Sequence, residues 1–223
     1  IDWVDSSTDV ERWGGLTEFG REVIAELNRL RMIVDVSHVS DKTIEQVVRL
    51  SSQPVIASHS SSRALCDHPR NISDHLARAV ADTGGVVGVN FYAEFLDQGF
   101  RDVMATRHGL IATLNQATSF PPEDLDRLAE ERRVDFFKNM PPRPPFERIL
   151  EHIDHLVSVV GIEHVGIGAD LDSGEIPTPA GFDTVRDYPK VIDGLSRRGY
   201  SDDQIDKIMG DNFLRVLTEV RGA

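Results

Sequence analysis

The sequence predicts an α/β fold on a parallel sheet, and three observations carry that prediction. Four short apolar, β-branched runs recur along the chain, at 32–36, 54–57, 86–89 and 165–167. Each is too short for a helix and apolar throughout, which is the pattern of a strand buried on both faces. Helical periodicities separate the runs, and strands alternating with helices give a parallel sheet.

The elements follow in order. Thr17 opens a helix with Phe19, Val23, Leu27 and Leu30 spaced along one face. The run from Met32 to Val36 follows as the first strand. Ser40 then caps a helix carrying Ile44, Val47 and Val48, and Pro54 begins the second strand, a position where a missing N–H is tolerated. Ser73 caps the helix of Leu76 and Val80, which leads into the strand at Val86–Val89. An insertion of about 94–145 comes next, with charged helical pieces and the stretch Pro141-Pro142-Arg143-Pro144-Pro145; its length suits a lid or an excursion. Ile149, Ile153, Leu156 and Val160 line the helix before the fourth strand. Two short helices close the chain over 201–220, with Ile205, Ile208, Phe213, Leu214 and Leu217 as their apolar positions. The whole of 1–223 reads as one domain. No glycine-rich dinucleotide loop follows any strand, so a doubly wound sheet has no motif in its favour, and the periodicities alone leave open a doubly wound sheet or a barrel.

Composition narrows the function classes. The chain has 223 residues, 40% hydrophobic and 27% charged, and a net charge of −13. That acidic balance argues against nucleic acid as a partner. No apolar run approaches the roughly 20 residues of a membrane span, and the single cysteine, Cys66, excludes an internal disulfide. Cys66 reads as a buried, inert thiol. The opening Ile1-Asp2-Trp3 carries no signal peptide and reads as a chain whose start has been removed.

Each strand run ends in a polar residue fit for chemistry: Ser37-His38, Ser58-His59, Asn90 and Asp170. The C-terminal strand ends of a parallel barrel gather at one face, where barrel active sites sit. Neutral imidazole is a good zinc ligand. One histidine at a strand end is commonly structural; two at equivalent ends, with an aspartate at another, favour a site. His152 and His155, three apart on one helix, read as surface or packing residues rather than a metal pair.

Several motifs together resemble the membrane (renal) dipeptidase family of zinc-dependent hydrolases. They are Gly14-Gly15-Leu16-Thr17-Glu18-Phe19-Gly20, Asp35-Val36-Ser37-His38-Val39-Ser40, Pro54-Val55-Ile56-Ala57-Ser58-His59-Ser60-Ser61, Asp67-His68-Pro69-Arg70-Asn71, the segment 85–92, Gly166-Ile167-Gly168-Ala169-Asp170-Leu171-Asp172, and Asp211-Asn212-Phe213-Leu214-Arg215-Val216. The resemblance implies a (β/α)8 TIM barrel metallohydrolase, of which this chain would hold the last four βα units and the C-terminal helices. It implies two zinc ions per complete barrel, His38 and His59 as ligands of one of them, and Asp170 in proton transfer. It also implies Arg70 on the substrate carboxylate and Phe95 as the substrate-side aromatic, where a tyrosine hydroxyl would be lacking. Asp172 reads as a turn residue or as one that supports the ligands from behind, rather than as a ligand. The implied reaction is hydrolysis of dipeptides, including those with a C-terminal D-residue.

The family's remaining zinc ligands lie before the Gly-Leu-Thr-Glu-Phe-Gly segment and have no counterpart in 1–13. Four strands with barrel curvature leave two open edges. The expectation is therefore a fragment; a separate chain supplying the first half, or a homo-oligomer of half-barrels, are the alternatives. Two copies would bring four such histidines but no bridging glutamate. Rival functions are an amidohydrolase-type deacetylase and a non-catalytic half-barrel acting in binding or assembly; a doubly wound binding protein ranks behind both.

Overall fold

A computed structural model describes residues 2–117, 140–171 and 177–222. Four strands form one sheet: β1 (Val34–Asp35), β2 (Val55–Ala57), β3 (Val86–Val89) and β4 (Val165–Ile167). Their spatial order equals their sequence order and every pairing is parallel. Consecutive parallel neighbours joined by helices are what a barrel is built from, so the sheet is consistent with part of one.

α1 (Glu18–Arg29) precedes β1, α2 (Asp41–Leu50) joins β1 to β2, and α3 (Asp74–Asp82) joins β2 to β3. Each has the cap its sequence predicts: Thr17 Oγ1 accepts from Gly20 N, Ser40 Oγ from Thr43 N and Ser73 Oγ from Leu76 N. After β3 come α4 (Ala93–Leu96) and α5 (Gln98–Ala117); α6 (Glu147–Val160) precedes β4. The middle of the expected insertion, 118–139, lies outside the described residues, as does Asp172. Its proline-rich end docks on the chain after β4, where Pro145 bridges Ala180 and Arg143 pairs with Asp183 at 2.6 Å. The chain closes with α7 (Tyr188–Arg197), α8 (Asp202–Asp206), one π-helical turn and α9 (Asn212–Arg221).

Alternation along the strands sends side chains to two faces. Val55, Ala57, Val87, Val89 and Val165 join the main core with Ile44, Leu76, Val80, Ile149 and Ile153 from the helices. The opposite face holds Ile56 and Val86 against Phe213, Val216 and Val220 of α9. Asn212 anchors α9 beneath the strands through Nδ2, which donates to the carbonyls of Ile162 and Val165 at 2.8 Å each. One face of the sheet thus carries the main core and its helices and the other carries α9, leaving the C-terminal strand ends for the site.

Three details depart from the periodicity. β1 is shorter than the run 32–36, because Met32 N still bonds Leu27 O (2.9 Å) and completes the exit from α1. The buried face of α1 is Gly20 and Ile24, while Phe19 and Leu30 are exposed. In α9, Val216 and Val220 are buried and Leu214 and Leu217 are exposed. Among the described residues no helix is long and apolar enough to cross a membrane.

Candidate active site at the C-terminal strand ends

His38 and His59 follow adjacent strands β1 and β2, so parallel pairing sets them side by side. Their Nε2 atoms are 2.8 Å apart and their rings meet edge-on, with centroids 4.9 Å apart. His38 sits in the left-handed region at φ 74°, and Asp170, after β4, at φ 60°. Left-handed non-glycine residues carry a conformational cost, and they persist where surroundings over-determine them, often at functional sites.

His59 is held from both sides. Its backbone N–H donates to Ser37 Oγ at 3.0 Å, and its ring Nδ1 lies 2.7 Å from Ser58 Oγ. Ser58 Oγ in turn donates to Asp35 Oδ2 at 2.6 Å. Asp35 Oδ1 accepts from Ser37 N (3.0 Å) and Ser58 N (3.1 Å), tying the two histidine-bearing loops to one carboxylate. Sequence reading placed Asp35 and Ser58 within motifs and gave neither a role of its own. A charged residue inside an otherwise apolar strand run was the available signal.

Arg70 lies on the loop between β2 and α3 and is buried, at 7% exposure. Its Nη2 is 3.5 Å from His59 O, and its Nη1 is buried without a hydrogen-bond partner among the described residues. An unpaired buried guanidinium nitrogen is costly, and it is the expected state of a group awaiting an anion. The guanidinium stands 5.6 Å from the centroid of the Phe95 ring, which also meets His68 at 4.4 Å and Tyr92 at 4.7 Å. Asn71 locks this loop: its Nδ2 donates to Cys66 O (2.8 Å) and Phe95 O (2.7 Å). Cys66 is buried, its thiol donating to Glu94 O, and burial pushes its pKa up to about 12, which fits an inert thiol.

Asp170 Oδ2 accepts from Asn90 Nδ2 at 3.1 Å, so the ends of β3 and β4 are joined. Electrostatics couple the pieces. Burial lowers the His38 pKa, and the charges of Arg70 and His59 lower it further against the opposing pull of Asp170 and Asp35. Burial also lowers the Arg70 pKa, opposed by Asp170 and Asp35. His38, His59, Arg70, Phe95 and Asp170 therefore share one end of the sheet. His152 is not part of it: it is fully buried, bonded to Ser62 N and Leu96 O.

Two imidazole nitrogens on one tetrahedral zinc, each at about 2.0–2.1 Å, lie roughly 3.3 Å apart. The His38–His59 pair comes within about half an ångström of that spacing, and a pair of neutral nitrogen donors suits zinc. Among the described residues no group of three or more histidine, cysteine or acidic side chains converges as a metal site.

Comparison with known proteins gives the same direction. The structure superposes on that of the probable dipeptidase PvdM from Pseudomonas aeruginosa with a TM-score of 0.83 and 32% identity, covering 99% of this chain and 60% of that one. It superposes on a metallo peptidase from Rhodobacter sphaeroides liganded with a phosphinate mimic of the dipeptide L-Ala-D-Ala, with a TM-score of 0.72 and 27% identity. There it covers 96% of this chain and 49% of the other. The uncharacterized protein in the pqqA 5′ region of Klebsiella pneumoniae is 33% identical over 206 residues, 92% of this chain and 61% of that protein. The chain thus spans about three fifths, or less, of these relatives. The profile of the membrane dipeptidase family (peptidase family M19) matches residues 1–223, and the chain belongs to that family.

Proposed function

We propose that the protein to which this chain belongs hydrolyses dipeptides with zinc, and that His38 and His59 ligate one of two zinc ions. The observation that carries the reading is the convergence of two imidazole nitrogens, 2.8 Å apart, beside a buried arginine whose Nη1 has no hydrogen-bond partner among the described residues. Zinc, when bound, lowers the pKa of a coordinated water to roughly 7 and polarises the peptide carbonyl. Arg70 grips the free C-terminal carboxylate through its unused donors, a geometry that selects dipeptides over internal sequences. Phe95, its ring centroid 5.6 Å from the guanidinium carbon, supplies the substrate-side aromatic. Asp170, steadied by Asn90, takes the proton from the attacking water and gives it to the leaving amine nitrogen as the C–N bond breaks. The ligand in the Rhodobacter sphaeroides structure supports substrates with a C-terminal D-residue.

An assay of the longer protein on L,L- and L,D-dipeptides, with and without chelator, tests this. Turnover should vanish on chelation and return with zinc; turnover indifferent to chelation overturns the reading. A second reading, amidohydrolase action on acylated amino acids, draws on the likeness to an amidohydrolase from Pseudomonas aeruginosa, with a TM-score of 0.73 and 29% identity. A panel of acylated amino acids in the same assay separates the two.

A further inference from the structure

The direction of the hydrogen bonds from Asp35 to His59 follows from what each group can donate. An ionised carboxylate only accepts, and a serine hydroxyl has one proton. That proton goes to Asp35 Oδ2, 2.6 Å away. Ser58 Oγ then offers His59 Nδ1, at 2.7 Å, nothing but lone pairs. His59 must therefore carry its proton on Nδ1. Its Nε2 is left with a lone pair facing His38, which acts as the donor of the 2.8 Å bond between the rings.

We propose that Asp35, acting through Ser58, is a positioning residue that fixes His59 in the Nδ1–H tautomer and keeps its Nε2 lone pair available to zinc. The inference rests on the zinc reading above and extends it to two residues that touch neither the metal nor the substrate. Metal-bound histidines ordinarily donate their second N–H directly to a carboxylate or carbonyl. Here a serine hydroxyl stands between, and the same carboxylate also holds the backbone of both histidine loops through Ser37 N and Ser58 N.

A purely structural role for Asp35 would rest on those two backbone bonds alone, and Asp35→Asn separates the roles. Two amide N–H groups converge on Oδ1, so the asparagine oxygen must occupy that place and its NH2 must fall where Oδ2 was. The NH2 donates to Ser58 Oγ, Ser58 donates to His59 Nδ1, and the ring proton is driven to Nε2. The loop bonds survive while the relay reverses; the same substitution traps the wrong tautomer in Ser-His-Asp triads.

The experiment uses the full chain labelled with 15N-histidine. Two-bond 1H–15N spectra report each tautomer, a His59→Asn variant assigns the signal, and competition titration gives the affinity for zinc alone. The wild type should show His59 as Nδ1–H. Asp35→Asn should show Nε2–H, with zinc affinity weakened by about 10–100-fold and the thermal midpoint nearly unchanged. Ser58→Ala should populate both tautomers and also weaken zinc, and it carries the test if the asparagine variant does not fold. An unchanged Nδ1–H tautomer in the folded variants overturns the proposal, and weaker zinc binding alongside it would leave Asp35 a loop support only. A switched tautomer in a protein whose wild type binds no added zinc overturns His38 and His59 as a zinc-binding pair instead, because the direction of the relay would stand while its purpose fell.

Discussion

His152 shows how a buried side chain ties stability to pH. Its Nδ1 accepts from Ser62 N at 3.0 Å and its Nε2 donates to Leu96 O at 3.1 Å, so the neutral ring is fully used. Burial pushes its pKa down to about 4, against the opposing pull of the Leu96 carbonyl. The unfolded chain therefore binds a proton that the folded chain refuses between the unfolded value near 6.5 and about 4. This contribution is complete above pH 6.5 and is lost as pH falls toward 4, about 3 kcal/mol in all. His152→Leu should cost stability at pH 7, because Ser62 N–H and Leu96 C=O lose their partner, at about 1–3 kcal/mol each. Urea unfolding from pH 7 to 4 should show the gap between wild type and variant shrinking by about 3 kcal/mol; a constant gap overturns the assignment. At this scale the sequence showed residue types at strand ends, which is why His38, His59, Asn90 and Asp170 were visible. The roles of Asp35, Ser58 and Asn71 were not, because their work is a hydrogen-bond direction or a three-way tie between loops, and neither has a periodicity.

Strands and caps were the legible elements, since an apolar β-branched run and a Ser or Thr before a helix each act locally. The faces of the terminal helices were less so. Phe19, Val23, Leu27 and Leu30 satisfy a helical spacing as well as Gly20 and Ile24 do. Packing decides between them, because the Trp3 carbonyl crosses α1 where a Cβ on Gly20 would lie 2.6 Å from it. The same close approach governs the strand ends. A Cβ on Gly168 would sit 1.9 Å from Ser58 O and 2.9 Å from His59 Cα, both backbone atoms that cannot swing aside. Gly168→Ala should therefore displace the loop that carries His59, destabilise the fold by at least about 1–3 kcal/mol, and weaken zinc binding. Gly210→Ala, with nothing within 4 Å of the added carbon, is the comparison expected to leave zinc affinity unchanged. Thermal unfolding and zinc titration of both variants decide it: equal zinc affinities would mean the glycine does not set the position of His59.

At the scale of the molecule, the parallel order β1-β2-β3-β4 leaves β1 and β4 each paired on one side only within this sheet. Eight strands close a barrel, and four cannot. The relatives are longer, the chain covering 60% of PvdM and 61% of the Klebsiella pneumoniae protein. Metal chemistry meets the same arithmetic. Zinc in proteins takes three or four protein ligands, and the described residues bring together two imidazoles, with no third histidine, cysteine or carboxylate converging on them as a metal site. The 223-residue chain, purified without added metal and passed through a desalting column, should retain well under one zinc per chain by elemental analysis, while its two-histidine site should bind added zinc weakly. His38→Ala and His59→Ala should each abolish that weak binding, since one imidazole is left. A content near two per chain would show that donors beyond the described pair complete the centre, through 118–139, 172–176 or a second copy. Chelation and dipeptide turnover would then be measurable on this chain itself.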